Sequence, residues 1–562
     1  MAHFNKEKAL ATIKSGDMDD IQALLDDIEE RLNTKKYGLI WEHGGNDENS
    51  PFEPEYVVLD CQRNILCPKL NPDLSAFPEK ANGNILLEGD NYIWLKILEQ
   101  THANQIQFIY IDLPYNTGHN DFRYNDRFVK EDDLFRHSMW LDVMEHRISI
   151  ARNLLTDDGV IFVSIDDREQ HALRFLMNDI FGEQNFVASF VWKKKRNRVG
   201  KGKSIVKEHE YILCYQKDAA QKVFQRDSFL EHKNIESKYP LYDEETDQRY
   251  MLNPLDSVSL GYSDDRVFPI NHDGKEYWPI DKNGKKAVWR WGKEKVENEY
   301  ADLVFQGERV YSKSYASKEG MLVGTILPEN VVGYTQMGTQ DLNNLGLVDF
   351  PYPKPVMLIK DLLNFYYRKD ITVLDFFAGS GTTAQAVEEL NQEDGGRRKW
   401  ILITNNENQD EDDDDPETGI CRDITKPRID TVITGIRPDG SKYSDGTNSG
   451  YQYFQCDFMP RFETREANQR AFFTPTKNID AVVRIKYGVV LKELDRDRMA
   501  MIYENDDKQL IVFIKDVDDE LLEEFFDDEH ERHIVLANDI VDVDGIESDT
   551  IHSLIPSYEF FM

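Results

Sequence analysis

The sequence VLDFFAGSGTT, residues 373–383, joins a short apolar strand to the start of a helix through a turn that contains two glycines. The predicted strand ends at Asp375, and Gly379 and Gly381 let the backbone approach a ligand closely at the carboxyl edge of a parallel sheet. No Gly-Lys-Ser/Thr follows, and the pattern is not Gly-x-Gly-x-x-Gly, so neither a P-loop nor a dinucleotide site is favoured. A lone Gly-x-Gly is equally typical of a junction that binds nothing, but the flanking residues here favour a nucleotide-like ligand.

A second stretch, IYIDLPYNTG at residues 109–118, ends another apolar strand in polar and aromatic residues. This buried strand delivers Asp112, Pro114 and Tyr115 to its carboxyl end. Taken alone, Asp-Leu-Pro-Tyr is more often an ordinary strand end followed by a proline turn. The tetrapeptide indicates a functional site only when it occurs together with the first motif in one chain.

Strand and helix signals alternate around both motifs, which predicts an α/β fold with a parallel sheet. The clearest unit is an apolar run at residues 106–111, an amphipathic helix at 138–155 and a second apolar run at 160–165. Residues 219–350 are aromatic and rich in turns, and they lack this alternation. We therefore predict a large insertion between the two motifs.

The chain of 562 residues carries a formal net charge of −37, which taken alone argues against a nucleic-acid partner. The acidic excess is uneven, since residues 501–562 hold 19 acidic and three basic residues. Residues 193–207 (KKKRNRVGKGKSIVK) hold eight cations and no acid. A solvated loop that balances the acidic excess is one interpretation of this stretch. The alternative that we predict is phosphate contact through Lys193, Lys194, Lys195, Arg196, Arg198, Lys201 and Lys203.

Other features of the composition exclude several classes of protein. Five cysteines without a Cys-x-x-Cys pair argue against a disulfide scaffold and a cysteine zinc site, and we predict no metal. No apolar run reaches 18 residues and no signal-peptide pattern is seen, so we expect a cytoplasmic protein without a membrane segment.

Together, D-x-F-A-G-S-G-T-T and D-x-P-Y resemble the S-adenosylmethionine-dependent amino-methyltransferases of DNA. The catalytic motif precedes the cofactor motif, an order that matches the β class, in which the target-recognition region lies between the two. The wider context resembles the modification (Mod) subunits of Type III restriction–modification systems. The resemblance covers most of residues 36–460 and includes HEYILCY at 209–215, WRWGKEK at 289–295 and DFFAGSGTTAQAV at 375–387.

The resemblance implies a Rossmann-like S-adenosylmethionine-dependent methyltransferase sheet to which other parts are added. The domains that it predicts are an N-terminal helical segment (1–45), the catalytic half of the core (46–218), a target-recognition insertion (219–350), the cofactor half of the core (351–468) and a small acidic C-terminal α/β module (469–562).

By the same resemblance, Asp112, the Pro114 carbonyl and Tyr115 would hold the target adenine. Glu407 would bind ribose hydroxyls; the alternative is a solvated acid beside an acidic loop. Lys354 looks like part of the segment that closes the cofactor pocket; the alternative is an ordinary turn lysine. The residues expected to bind the cofactor are Asp90, Lys354, Asp375, Phe377, Gly379, Gly381 and Glu407.

Methyl transfer to an exocyclic amine explains why these residue types are needed. The nitrogen lone pair is delocalised into the ring, and an acceptor beside each N–H helps to free it. The Asp112 carboxylate and the Pro114 carbonyl supply two acceptors, and Tyr115 can stack on a base rotated out of the duplex. An Asp at position 112 favours adenine N6 over cytosine N4 by resemblance. Leu113 departs from the usual Asp-Pro-Pro-Tyr and stiffens the backbone less than proline would.

The resemblance further implies double-stranded DNA as substrate, a homodimer and a restriction (helicase–nuclease) subunit as partner. Two alternatives remain open. One is a solitary DNA adenine methyltransferase without a restriction partner, and the other is an inactive DNA-binding or DNA-mimicking scaffold. We expect the acidic C-terminal module to face away from DNA.

Overall fold

The computed structural model describes residues 64–118, 123–124, 127–128, 135–196, 205–224, 239–280, 285–315, 323–348, 350–407, 418–460, 476–495, 500–504, 509–513, 532–536 and 551–553. The predicted N-terminal helical segment and three of the predicted phosphate contacts, Arg198, Lys201 and Lys203, lie outside these residues.

Nine strands form the central sheet. They are β1 (Asn64–Leu70), β2 (Ile85–Glu88), β3 (Ile106–Asp112), β4 (Leu155–Ile165), β5 (Phe186–Lys193), β6 (His209–Gln216), β7 (Thr372–Asp375), β8 (Lys399–Thr404) and β9 (Gln452–Pro460). Their order is β1-β9-β2-β8-β7-β3-β4-β6-β5. The six strands from β9 to β4 in this order are parallel, whereas β1, β6 and β5 each pair antiparallel with their neighbours. The predicted α/β fold with a parallel sheet is confirmed.

Helices cover both faces of this sheet because its parallel strands are apolar on both sides. They are α1 (Asn91–Thr101), α2 (Arg136–Leu154), α3 (Gln170–Phe181), α4 (Val356–Phe365), α5 (Thr382–Asp394), α6 (Lys426–Thr434) and α7 (Thr476–Tyr487). On β3, Ile109 and Ile111 pack on one face with α1, α2, α3 and α7, while Phe108 and Tyr110 pack on the other with α4, α5 and α6. The two-residue period of a strand therefore divides the core into two layers.

In three places the sequence pattern favours a different local structure from the one observed. Residues 44–83 are rich in Pro, Asn and Asp, which predicts a connector, but they contain the edge strand β1. Asp157-Asp158-Gly159 predicts a turn, but it lies inside β4, where the pairing register with β3 shifts. Residues 356–367 predict a helix, but α4 ends at Phe365 because Tyr366 is extended, and the Tyr366 hydroxyl donates to the Asp158 carbonyl at 3.2 Å.

Within the predicted insertion, the described residues from 239 to 315 form mainly antiparallel structure with a small core of their own. A four-stranded sheet contains Leu303–Gln306, Arg309–Tyr315, Gln248–Pro254 and Leu241–Asp243 in that order. Two short strand pairs and a helix complete it, namely Asp256–Ser257 with Val288–Trp289, Ile270–His272 with Lys275–Tyr277, and helix Lys293–Asn298. Trp289 is buried in this core, and its indole N–H donates to the Phe268 carbonyl at 2.8 Å. Helices Glu329–Val332 and Thr335–Asn344 pack instead on the core beside α4 and on α6.

Near the C-terminus, a separate five-stranded sheet follows helix α7. Its strands are Val490–Asp495, Ala500–Glu504, Gln509–Phe513, Arg532–Leu536 and Ile551–Ser553. The first three are antiparallel to one another and the last two add in parallel. The domain boundaries given above stay predictions. In the part of the chain that the structure describes, no helix is long and apolar enough to span a bilayer.

Candidate active site

The two sequence motifs meet at one edge of the sheet. Strand β3 ends at Asp112 and β7 ends at Asp375, and the two strands are parallel neighbours through Val373↔Phe108 and Leu374↔Ile109. Because the carboxyl ends of parallel strands lie at the same edge, the predicted catalytic and cofactor motifs are adjacent in space although 263 positions separate the two aspartates.

Asp112 lies in a cluster of charged side chains that reaches across the sheet edge. The Lys354 ammonium lies 2.7 Å from each carboxylate oxygen of Asp112 and 3.4 Å from Glu210 Oε2. The Tyr115 hydroxyl is 2.8 Å from Asp112 Oδ1 and 3.1 Å from Glu210 Oε2. Lys194 donates to Glu210 Oε1 at 2.8 Å. Two carboxylates and two ammonium groups therefore alternate in one continuous network.

Burial and neighbouring charges fix the protonation states of this network. Burial disfavours the charged form of Lys354, but Asp112 and Glu210 outweigh it and raise the lysine pKa. Burial likewise works against ionised Glu210, but Lys354 and Lys194 hold its pKa below the usual range. Burial and the two carboxylates raise the pKa of Tyr115 well above its ordinary value. At neutral pH the cluster holds a neutral phenol, a charged Lys354 and an ionised Glu210.

The residues around the Asp-Leu-Pro-Tyr turn fix its backbone. The indole N–H of Trp140, a fully buried residue of α2, donates to the Pro114 carbonyl at 2.8 Å. A carbonyl has two lone pairs, so the Pro114 oxygen keeps one for a further donor. Leu113, at the position where the family pattern has proline, is buried in the core layer of α1 to α3. Apolar packing thus takes part in holding this turn.

The turn after β7 is ordered by a buried acid. Asp375 Oδ2 accepts from the Thr383 hydroxyl at 2.5 Å, and Oδ1 accepts from the Phe377 N–H at 3.1 Å. Burial raises the pKa of Asp375 to about 7. Asp375 therefore ties both ends of the glycine turn together.

Gly379 and Gly381 are required by the protein itself. Both have positive φ, +47° and +78°, and a Cβ would lie 3.2 Å from Phe350 Cζ at the first and 3.1 Å from Thr425 Cγ2 at the second. The Thr425 hydroxyl also donates to the Gly379 carbonyl at 2.5 Å. These glycines give room to an aromatic ring and a threonine of neighbouring segments, which the sequence pattern does not reveal.

A buried guanidinium supports the same turn from behind. Arg428, on α6, donates to Thr382 Oγ1 at 2.8 Å, Ser380 Oγ at 2.9 Å and Gln385 Oε1 at 2.7 Å. Among the described residues no carboxylate lies within 4.0 Å of it, and burial lowers its pKa to about 10. Its charge is therefore held by neutral acceptors of the turn and of α5.

The remaining predicted cofactor residues lie at the same edge of the sheet. Asp90 caps α1 by accepting from the Tyr92 N–H at 2.7 Å, and the next residue, Asn91, donates to the Phe376 carbonyl at 2.8 Å. Glu407 is exposed, three residues after the end of β8. The carbonyl of Lys354 accepts from Thr382 Oγ1 at 3.3 Å, while its ammonium lies at Asp112. Lys354 thus contacts the start of α5 with its backbone and the first residue of the Asp-Leu-Pro-Tyr motif with its side chain.

Four of the five described cations of residues 193–207 are near acidic partners. Lys193 lies 2.8 Å and Arg196 4.0 Å from Glu329, Lys194 is bound to Glu210, and Lys207 lies 3.3 Å from Asp167. The fifth cation, Lys195, is exposed. Glu210, Thr425 and Arg428 are residues that sequence reasoning missed. Of these three, only Glu210 stands out in the sequence, because it is an acidic residue inside an otherwise apolar strand.

Comparison with known proteins places this site in a family. The model of a family described as DNA methylase matches residues 106–412, more than half of the chain. The EcoPI Mod subunit of a Type III restriction-modification enzyme from Escherichia phage P1 is 34% identical over 374 residues, 58% of each chain. The StyLTI Mod subunit from Salmonella typhimurium is 33% identical over 438 residues, 71% of this chain and 62% of that relative.

A Type II enzyme is also similar. The methyltransferase M.KpnI of Klebsiella pneumoniae is 33% identical over 345 residues, 58% of this chain and 81% of that enzyme. This chain spans about three fifths of the length of the two Mod subunits that it matches. The sequence motifs, their meeting at one sheet edge and these matches agree, and the chain belongs to the DNA methylase family, whose methyl donor is S-adenosylmethionine.

Proposed function

We propose that this chain transfers a methyl group from S-adenosylmethionine to N6 of an adenine in double-stranded DNA. The observation that carries the proposal is the pairing of β3 with β7, which sets Asp112, Pro114 and Tyr115 beside the glycine turn. Methyl transfer needs the acceptor nitrogen and the methyl donor in contact, so one site must contain both motifs.

The donor set at the edge fits this cofactor. Asp90 keeps 34% of its side chain exposed, and Asp90 and Glu407 offer carboxylates suited to amine and hydroxyl groups. The N-terminus of the 13-residue helix α5 favours an anionic group such as the amino-acid carboxylate. In the proposal Asp375, Phe377, Gly379 and Gly381 shape the wall of the pocket, and the bound cofactor supplies an electrophilic methyl group.

The acceptor half of the site is formed by Asp112, the Pro114 carbonyl and Tyr115. Asp112 keeps 30% of its side chain exposed, so an amine can reach it. In the proposal the carboxylate accepts one N6–H and the Pro114 oxygen accepts the other, which frees the nitrogen lone pair. Tyr115 stacks on an adenine that has left the duplex.

We propose further that the chain acts as the Mod subunit of a Type III system, as a homodimer with a restriction subunit. The similarity to the EcoPI and StyLTI Mod subunits supports the Type III assignment, and the homodimer is part of the proposal. The match to 81% of M.KpnI favours the alternative of a methyltransferase without that partner. For DNA contact, the exposed Lys195 and its neighbours Lys193, Lys194 and Arg196 are proposed to meet phosphates.

The test is methyl transfer from labelled S-adenosylmethionine to duplex DNA, followed by long-read sequencing of DNA from cells that express the chain. We expect N6-methyladenine at one recognition sequence with the wild type and none with Asp112→Ala. Wild-type protein that binds the cofactor and transfers nothing would support the scaffold alternative. Copurification of a large helicase–nuclease would separate the Type III assembly from the solitary enzyme.

A further inference from the structure

Lys354 connects the two halves of the site. Its carbonyl accepts from Thr382 at the start of α5, and its ammonium contacts both carboxylate oxygens of Asp112 at 2.7 Å. The ammonium also donates to the Tyr115 hydroxyl at 2.9 Å, and that hydroxyl lies 2.8 Å from Asp112 Oδ1. The lysine holds both carboxylate oxygens, and the hydroxyl on one of them limits rotation of the carboxylate about its Cβ–Cγ bond. Lys354, together with the hydroxyl that it contacts, therefore determines how Asp112 faces the space beside the glycine turn.

Lys354 is itself held from several sides. Only 8% of its side chain is exposed, Glu210 lies 3.4 Å away, and the ammonium lies over the rings of Tyr115 and Trp192, 5.3 Å and 5.6 Å from their centroids. Each of these groups favours a cation. The lysine has no room to sample many rotamers, so the orientation that it gives to Asp112 is maintained.

This arrangement leaves Asp112 one acceptor position for a substrate. Oδ1 contacts Lys354 and the Tyr115 hydroxyl, while Oδ2 contacts only Lys354 among the described residues. A carboxylate oxygen accepts two hydrogen bonds, so Oδ2 keeps a lone pair. An amine N–H bound there would meet a carboxylate whose angle is already set.

We propose that Lys354 and Glu210 are positioning residues for methyl transfer: Lys354 orients the Asp112 carboxylate, and Glu210 holds both Lys354 and the Tyr115 hydroxyl. This inference rests on the proposed function and assigns to it two residues beyond the Asp-Leu-Pro-Tyr motif. Lys194, which binds the other oxygen of Glu210 at 2.8 Å, connects the basic stretch to the same network. The titratable groups that face Asp112 or its partners are Lys354, Glu210, Lys194, Tyr115, Tyr110 and Asp375.

The first test compares Lys354→Met with the wild type in methyl transfer across pH. We expect kcat to fall about 100-fold, with little change in KM for S-adenosylmethionine, because a misoriented group costs rate more than cofactor binding. Loss of the cation removes the main group that holds the pKa of Glu210 low, so the acidic limb of the kcat profile should move to higher pH. Lys354→Arg, which can still contact both oxygens, should restore part of kcat.

The double variant Lys354→Met/Glu210→Gln separates charge from packing. Removing the neighbouring carboxylate as well should return the acidic limb toward that of the wild type, while kcat stays low because the orienting contact is still absent. A limb that remains shifted in the double variant, or a Lys354→Met enzyme with wild-type kcat and limb, would overturn the proposal.

A thermal measurement tests the same network without catalysis. In the wild type Lys354 helps to hold the pKa of Glu210 below its usual range, which stabilises the folded state above that range and ceases to do so as pH falls. We expect the deficit in melting temperature of Lys354→Met relative to wild type to be larger at pH 7 than at pH 4. If the wild type transfers no methyl group but this deficit appears, the proposed function fails and the network stands. If the wild type transfers methyl groups but Lys354→Met shows neither the deficit in melting temperature nor the shifted acidic limb of kcat, the positioning role is refuted and the proposed function stands.

Lys360→Met is the matched control. Lys360 is also buried, six residues further along the chain, and its ammonium pairs with Glu389 and Glu393 of α5 at 3.3 Å and 2.5 Å rather than with Asp112. Its loss should lower the melting temperature without moving the acidic limb of kcat. A shifted limb in this control would mean that loss of any buried lysine causes the effect, which would also overturn the proposal.

Discussion

Substitution of Gly379 by alanine measures how tightly the glycine turn is confined. The residue has a φ of +47°, and an added Cβ would lie 3.2 Å from Phe350 Cζ. The left-handed backbone costs an alanine about 1–2 kcal/mol. The crowded ring must move by a few tenths of an ångström, and overpacking of this kind costs about 1 kcal/mol more. We expect a total loss of about 2–3 kcal/mol in the free energy of unfolding.

The chain offers a control at the other end of the same helix. Gly395 follows α5 with a φ of +67°, and nothing lies within 4 Å of a Cβ placed there. Gly395→Ala has the same cost of a left-handed backbone, but its Cβ contacts no neighbouring atom. The difference between the two variants, about 1 kcal/mol, isolates the contact with Phe350.

Denaturant unfolding and calorimetric titration with S-adenosylmethionine are the assays. Gly379→Ala should lose more stability than Gly395→Ala and should bind the cofactor about 10-fold more weakly, which corresponds to about 1.4 kcal/mol. Gly395→Ala should bind it as the wild type does. Equal stability losses together with equal affinities in the two variants would refute the view that Phe350 confines this turn.

Three further predictions concern the groups that hold the site. Asp375→Asn removes a carboxyl whose pKa in the folded protein, about 7, exceeds its value in the unfolded chain. The wild type should therefore lose stability relative to this variant between about pH 4 and pH 7. In denaturant titrations the loss should reach up to about 1.4 kcal/mol per pH unit. Trp140→Phe removes the donor to the Pro114 carbonyl; we expect a loss of about 1 kcal/mol in stability and a lower kcat with unchanged cofactor affinity in steady-state assays. Arg428→Met removes the guanidinium that donates to the buried hydroxyl of Ser380. Calorimetry should show weaker cofactor binding, and the acidic limb of the kcat profile should stay in place in rate assays. Unchanged cofactor binding would contradict a supporting role for Arg428.

The sheet and the placement of both motifs follow from the sequence because local patterns encode them. Buried parallel strands such as β3 and β7 read as short apolar runs, and α2 shows the helical period clearly. Edge strand β1 was missed, since an edge strand with one partner does not need a continuous apolar run. The sequence also does not predict the register shift inside β4, because the turn-forming residues there lie within a continuous strand.

The charge network could not be read from the sequence because its members are far apart along the chain. Asp112 and Lys354 are separated by 242 positions, and Lys194 and Glu210 by 16. The sequence gives the number of cations but not their partners, so it does not show that Lys194 is bound to Glu210. The sequence pattern gives no signal for Arg428, and only the packing of α6 shows that it is buried.

The strand order has a consequence for how the chain is made. In the finished sheet, β8 and β7 lie between β2 and β3, so two strands from the first part of the chain are separated by two that are synthesised much later. A ribosome that adds about 5–20 residues per second needs on the order of 10–50 s to pass from β3 to β7. During that interval the facing edges of β2 and β3 have no partner, and exposed strand edges invite association with other chains. A nascent or truncated chain that stops before residue 372 therefore lacks both the cofactor turn and the means to close its own sheet.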